Sequence, residues 1–144
     1  MKHRTTEDLV KILESTHTTG DLSDYLEKME QRTPYQSFPD YFLSLDAVKR
    51  YTNPEIVQLS GIERSYYYQI IDKRRHPGRD KVISLALGCG IGLADTNRCL
   101  KFAGLAPLYP RNRRDAILIF AIEEDLTVLE ANDLLFQFKQ ETLS

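Results

Sequence analysis

The stretch Gly61 to Lys81, GIERSYYYQIIDKRRHPGRDK, concentrates side chains able to engage a ligand. Arg64, Lys73, Arg74, Arg75, Arg79 and Lys81 are set against only Glu63, Asp72 and Asp80, a local excess of cations in a chain of formal net charge -2. Such a patch favours a polyanion at one face and at no other. The ends are acidic: residues 1–40 hold five basic against eight acidic residues, and residues 116–144 one against six. Tyr66, Tyr67 and Tyr68 stand in front of the basic run as a core, a stacking surface or a binding face. A second cluster, Arg111, Arg113 and Arg114, lies at the expected start of a helix. Cations there oppose the helix dipole unless an anion sits nearby, either flanking phosphates or the acidic end of a partner chain.

Other residue patterns carry less chemistry. Cys89 and Cys99 have no C-x-x-C partner, and His3, His17 and His76 are scattered. No metal site or disulfide is indicated, and both cysteines read as reduced core residues. GCGIG at Gly88 to Gly92 is followed by no Gly-Lys-Ser/Thr and preceded by no strand, so it reads as a helix stop and tight turn. Glu123, Glu124 and Asp125 read as a solvated helix end, and no Ser/His/Asp or Cys/His set is suggested. We therefore expect no enzyme and no cofactor. The start, MKHRTTEDLVKILE, lacks the apolar region of a signal peptide, and no run of 18 apolar residues occurs. The expectation is a cytoplasmic, soluble protein with no membrane partner.

The elements that position these residues are helical. Apolar spacing of three and four dominates, so the chain reads as all-α. Thr5 and Thr6 cap a helix to Glu14, and Leu22 to Gln31 forms a second, with Leu22, Tyr25, Leu26 and Met29 on its apolar stripe. RTPYQSFPDY reads as a linker, completing an acidic extension over 1–40. The central segment, 41–104, begins with a helix over Tyr41 to Tyr51, and Asn53 before Pro54 is a cap for the next, which Gly61 stops. A helix from Glu63 or Arg64 runs into the KRRHPG loop; Arg79 to Cys89 and Leu93 to Ala103 follow, closed by Gly90 and Gly104. The last segment, 105–144, holds two helices. Asn112 and Asp115 open the first, whose apolar run AILIFAI demands burial on every side, and Thr127 with Glu130 forms a capping box for the second. These two helices either complete the core or make a dimer interface.

Short helix, Gly61 turn, second short helix, basic loop and supporting helix form a helix-turn-helix pattern. NPEIVQLSGIERSYYYQIIDKRRHPGRDKVISLALGCGIGL resembles the lambda-repressor-like, Xre-type DNA-binding family, through the SGI turn, the R-S-Y start, Ile70, the basic loop with its proline and the LALG-type helix. The resemblance covers about 50 residues and implies a helix-turn-helix bundle carrying extra N-terminal and C-terminal helices. It further implies that Arg64, Ser65, Tyr68 and Gln69 face bases of double-stranded DNA. Asn53, Lys73, Arg74 and Arg75 are expected to contact phosphate, Asn53 by the same carry-over and the loop cations by their place after the recognition helix. Wheel geometry turns Tyr67, Ile70 and Ile71 toward the core, leaves Tyr66 at the boundary and exposes Tyr68. Three departures stand out: Glu63 in place of a small capping hydroxyl, Asp72 near the proposed DNA face, and Val57 in place of alanine. The first reading is a sequence-specific transcriptional regulator acting as a homodimer, because one module with few phosphate contacts binds weakly. The alternative is a protein-interaction adaptor, antitoxin-like or a signalling partner, using its terminal helices, with DNA binding secondary or lost.

Overall fold

The computed structural model describes residues 18–32 and 37–144, and the helix expected over Thr5 to Glu14 lies outside them. Nine helices and no strand occur among the described residues. The chain divides into two units, residues 1–36 and 37–144. In the first, α1 spans Thr19–Arg32. It begins earlier than Leu22 because the Thr18 hydroxyl accepts a hydrogen bond from the Asp21 N–H at 3.0 Å.

The second unit opens with α2 (Phe38–Ser44) inside the stretch read as linker. Ser37 caps it and Pro39 occupies its first turn, where a missing N–H costs nothing. Instead of one helix to Tyr51, the chain breaks at Leu45, in extended conformation, and resumes as α3 (Asp46–Lys49). α4 (Asn53–Ser60) is capped by Thr52, not by Asn53: the Thr52 side chain and Glu55 form a reciprocal capping box. Asn53 is thereby released for another role. α5 (Arg64–Ile71), α6 (Arg79–Cys89), α7 (Leu93–Phe102), α8 (Arg113–Glu123) and α9 (Val128–Gln137) complete the unit.

α6 is the central helix, packed against α4, α7, α8 and α9. Every residue from Val82 to Leu87 is buried, not only one stripe. At Gly88 an added Cβ would lie 2.9 Å from the Leu59 carbonyl and the Ser60 nitrogen, so α4 crosses α6 in backbone contact. GCGIG therefore serves three purposes: close approach at Gly88, a left-handed helix stop at Gly90 (φ 71°), and the N-cap of α7 at Gly92. α2 docks on α7 through Tyr41, which stacks on Phe102 at 4.9 Å and donates its hydroxyl to Asp95 at 2.9 Å. Cys89 and Cys99 are buried and free, and burial pushes their thiols up to about 11 and about 12. Neither is a thiolate at neutral pH.

Residues 79–108 and 114–143 repeat each other in sequence and in hydrogen bonding, a relation not apparent from helical spacing alone. Arg79-Asp80 corresponds to Arg114-Asp115, Asn97 to Asn132, and Leu108 to Leu143. Asn97 accepts the Leu108 N–H at 2.9 Å; Asn132 accepts the Leu143 N–H at 2.8 Å. Gly90 and Gly104 have positive φ, and so do their counterparts Asp125 and Lys139. The two repeats exchange arginines. Arg79 forks onto Asp115 with both bonds at 2.7 Å and also reaches the Ala106 and Pro107 carbonyls. Arg114 forks onto Asp80 with both bonds at 2.9 Å and reaches the Glu141 and Thr142 carbonyls, the counterparts of Ala106 and Pro107.

The second repeat is less covered than the first. The AILIFAI run, expected to be buried all round, leaves Phe120 52% exposed, while Leu118, Ala121 and Ile122 are buried. On α9, Leu135 is buried but Leu129 and Phe136 are 72% and 78% exposed.

Candidate nucleic-acid interface

The candidate surface is built from α4, α5 and the loop that follows. α4 ends at Gly61, whose left-handed backbone (φ 70°) returns its N–H to Val57 O at 3.1 Å. Ser60 is buried in the bend and accepts the Ile62 N–H at 3.3 Å, which holds Ile62 in the core. Glu63 then caps α5 by accepting the Ser65 N–H at 3.3 Å. Ser65, through its side chain and N–H, holds the Glu63 carboxyl below its usual range, and the Arg75 charge adds to this. A carboxylate thus performs the capping usually given to a small hydroxyl.

Within α5, Tyr67 and Ile70 are fully buried. The Tyr67 ring is in the core, and its hydroxyl donates to Asn53 Oδ1 at 2.7 Å. Burial raises the Tyr67 hydroxyl well above its ordinary value, so it remains a donor. The bond ties the first turn of α4 to the middle of α5 and occupies the Asn53 acceptor. The amide nitrogen of Asn53, a pure donor, is left for an anion.

Tyr66 and Tyr68 are both half-buried, so the triplet does not divide into one boundary and one exposed ring. Each carries a cation on its face. The Arg75 guanidinium lies 4.5 Å from the Tyr66 centroid with Lys81 at 5.2 Å, and Arg64 lies 5.7 Å from that of Tyr68. Tyr68 also meets the Tyr67 ring edge-on at 5.4 Å. Arg64 and Ser65 are exposed, and Gln69 is half-buried.

After α5 the chain turns on Lys73, a non-glycine residue in the left-handed region (φ 62°). The Gln69 carbonyl accepts the N–H groups of Arg74 and Arg75 at 2.9 and 3.2 Å, curling the basic loop back over the end of the helix. Lys73 pairs with Asp40 and Arg74 with Asp72, each at 3.0 Å, with all four side chains substantially exposed. Exposed pairs of this kind contribute about 0–1 kcal/mol, so a phosphate can replace the carboxylate at little cost. The Asp72 charge is neutralised by its own neighbour.

Of the positions singled out in the sequence, Asn53, Tyr68 and Arg64 are joined through Tyr67 by one run of contacts, Gln69 holds Arg74 and Arg75 of the loop in a second, and Ser65 and Lys73 lie on the same two elements outside both. Two cations of the sequence patches are committed to carboxylates elsewhere. Arg79 is committed to Asp115 and Arg114 to Asp80, while Arg111 and Arg113 are exposed. Burial pushes the Asp115 and Asp80 carboxyls up, but the arginine forks outweigh it and hold both below the usual carboxylate range. The repeated Arg-Asp dipeptide was the signal for this lock. Among the described residues no group of His, Cys, Asp and Glu is placed to hold a metal ion, and no helix is long and apolar enough to cross a membrane.

Compared with models of known protein families, with curated proteins and with solved structures, the chain shows no significant match.

Proposed function

We propose that this protein is a sequence-specific DNA-binding transcriptional regulator, with α4 and α5 as a helix-turn-helix in a lambda-repressor-like bundle and α5 as the helix that enters the major groove. Arg64 is the bidentate donor for guanine, Gln69 the partner for adenine, and Ser65 and Tyr68 the shorter-range contacts. Asn53, Lys73, Arg74 and Arg75 take phosphates and set the register. The observation that carries this reading is the Tyr67 to Asn53 hydrogen bond. It fixes a donor at the start of α4 relative to α5, beside a loop whose cations are held by exposed carboxylates at Lys73 and Arg74 and by the Tyr66 ring at Arg75.

Selection of bound duplexes from a random pool, followed by titration of variants, tests it. Arg64→Ala and Gln69→Ala should each cost about 1–3 kcal/mol on the selected site and relax preference at one position. Lys73→Ala and Arg74→Ala should weaken all sequences and flatten the salt dependence by roughly 0.9 in slope for each phosphate partner removed. The adaptor reading is favoured by a different observation, the exposed Phe120, Leu129, Phe136 and Phe138 on α8 and α9 and the residue after it. Absence of salt-dependent binding to any duplex would select it.

A further inference from the structure

The open face of α8 has an order that its own chain does not use. Arg113, Ala116, Ile117, Phe120, Glu123 and Glu124 recur at helical spacing and are exposed or half-buried, whereas Asp115, Leu118, Ala121 and Ile122 face inward. With Leu134, Gln137 and Phe138 the apolar centre of this stripe forms a groove of about 380 Å³. The stripe begins with a cation at the positive end of the helix dipole and ends with two carboxylates at the negative end. Among the described residues neither Arg113 nor Glu123 nor Glu124 forms an ion pair.

The internal repeat identifies what kind of surface this is. In the first repeat the corresponding face of α6 is covered by α4, which crosses at Gly88, the counterpart of Glu123. Leu85, the counterpart of Phe120, is fully buried there. Within residues 37–144 the second repeat has no such helix of its own.

We infer that a second copy of this chain covers the face, α8 packing antiparallel on the partner's α8 about a two-fold axis. The register is set by the sequence. An axis that places Ile117 against the partner's Phe120 also places Arg113 opposite the partner's Glu124, and does so twice. The apolar centre is then closed by a cation and a carboxylate at each end, and the carboxylates gain a cation that the last turn of their own helix lacks. A two-fold contact must be self-complementary, and this stripe is. The contact does not depend on α5 reading DNA.

Sedimentation velocity over a range of concentrations tests it, with far-UV circular dichroism as a check on folding. The full chain should run at twice its 16.6 kDa mass, and Phe120→Glu should make it monomeric with its helicity kept. Arg113→Glu alone, and Glu123→Arg with Glu124→Arg, should each raise the dimer dissociation constant roughly tenfold, since reversal sets like charges opposite at both ends. All three reversals combined should restore it. The surface charge variants leave the core untouched, so they decide the matter even if Phe120→Glu fails to fold. A monomer at every concentration overturns the inference, as does a dimer indifferent to Phe120→Glu or to the charge reversals, or one that the combined variant does not restore. Lys73→Ala and Arg74→Ala should leave the mass unchanged, which separates this contact from the DNA surface.

Discussion

Tyr67 shows how one side chain can serve the core and the surface together. Its ring is buried, while its hydroxyl emerges at Asn53. Tyr67→Phe keeps the ring and removes only that bond, so the urea midpoint should fall by the equivalent of about 1 kcal/mol with the slope unchanged. Asn53 loses its tether in the same variant. Helical spacing identified Tyr67 as the inward member of the triplet, but not the half-burial of Tyr68. That depends on Arg64 and on the edge of the Tyr67 ring, contacts that no wheel contains. Asn53 was legible as a residue at a helix start and misread as its cap, because Thr52 forms the better reciprocal box with Glu55.

At the level of elements, two crossings tie together the helices of the second unit. Gly88→Ala would press a methyl group into the Leu59 carbonyl, a backbone neighbour that cannot swing aside, and should cost about 1–3 kcal/mol in denaturant unfolding. The other crossing is the arginine exchange between repeats. Asp115 and Asp80 have folded pKa values below the unfolded value, so the stability they add is fully present above the unfolded pKa, about 3.9. It is lost as pH falls through the folded values. Unfolding followed from neutral to acid pH should show this loss, and Asp115→Asn with Asp80→Asn should flatten the acid limb. Asp115→Ala should cost more than Asp80→Ala, since its side chain is more buried; each also accepts one backbone N–H, from Tyr109 at 3.0 Å and from Ser144 at 3.2 Å respectively. α6 and α7 were legible almost to the residue and α8 and α9 at their starts, because Gly90, Gly104, Asn112 and Thr127 mark those points chemically. The break at Leu45 was not, since nothing local to it breaks a helix. Nor did the periodicity of AILIFAI distinguish burial within one chain from burial between two.

Over the whole molecule, the balance of charge is set by which cations are spent internally. Arg79 and Arg114 hold the repeats together, and Arg64, Lys73, Arg74 and Arg75 are held by rings or by exposed carboxylates only. The excess of acidic residues over 116–144 disfavours a polyanion along that segment. The most direct measurement is a binding titration on duplexes selected from a random pool, repeated at several salt concentrations for the unmodified chain and for Arg64→Ala. A DNA-reading α5 should give a selected motif, affinity that falls linearly on a log scale with salt, and a preference relaxed at one position in the variant. Failure to enrich any motif, or binding unchanged by salt and by Arg64→Ala, would contradict it.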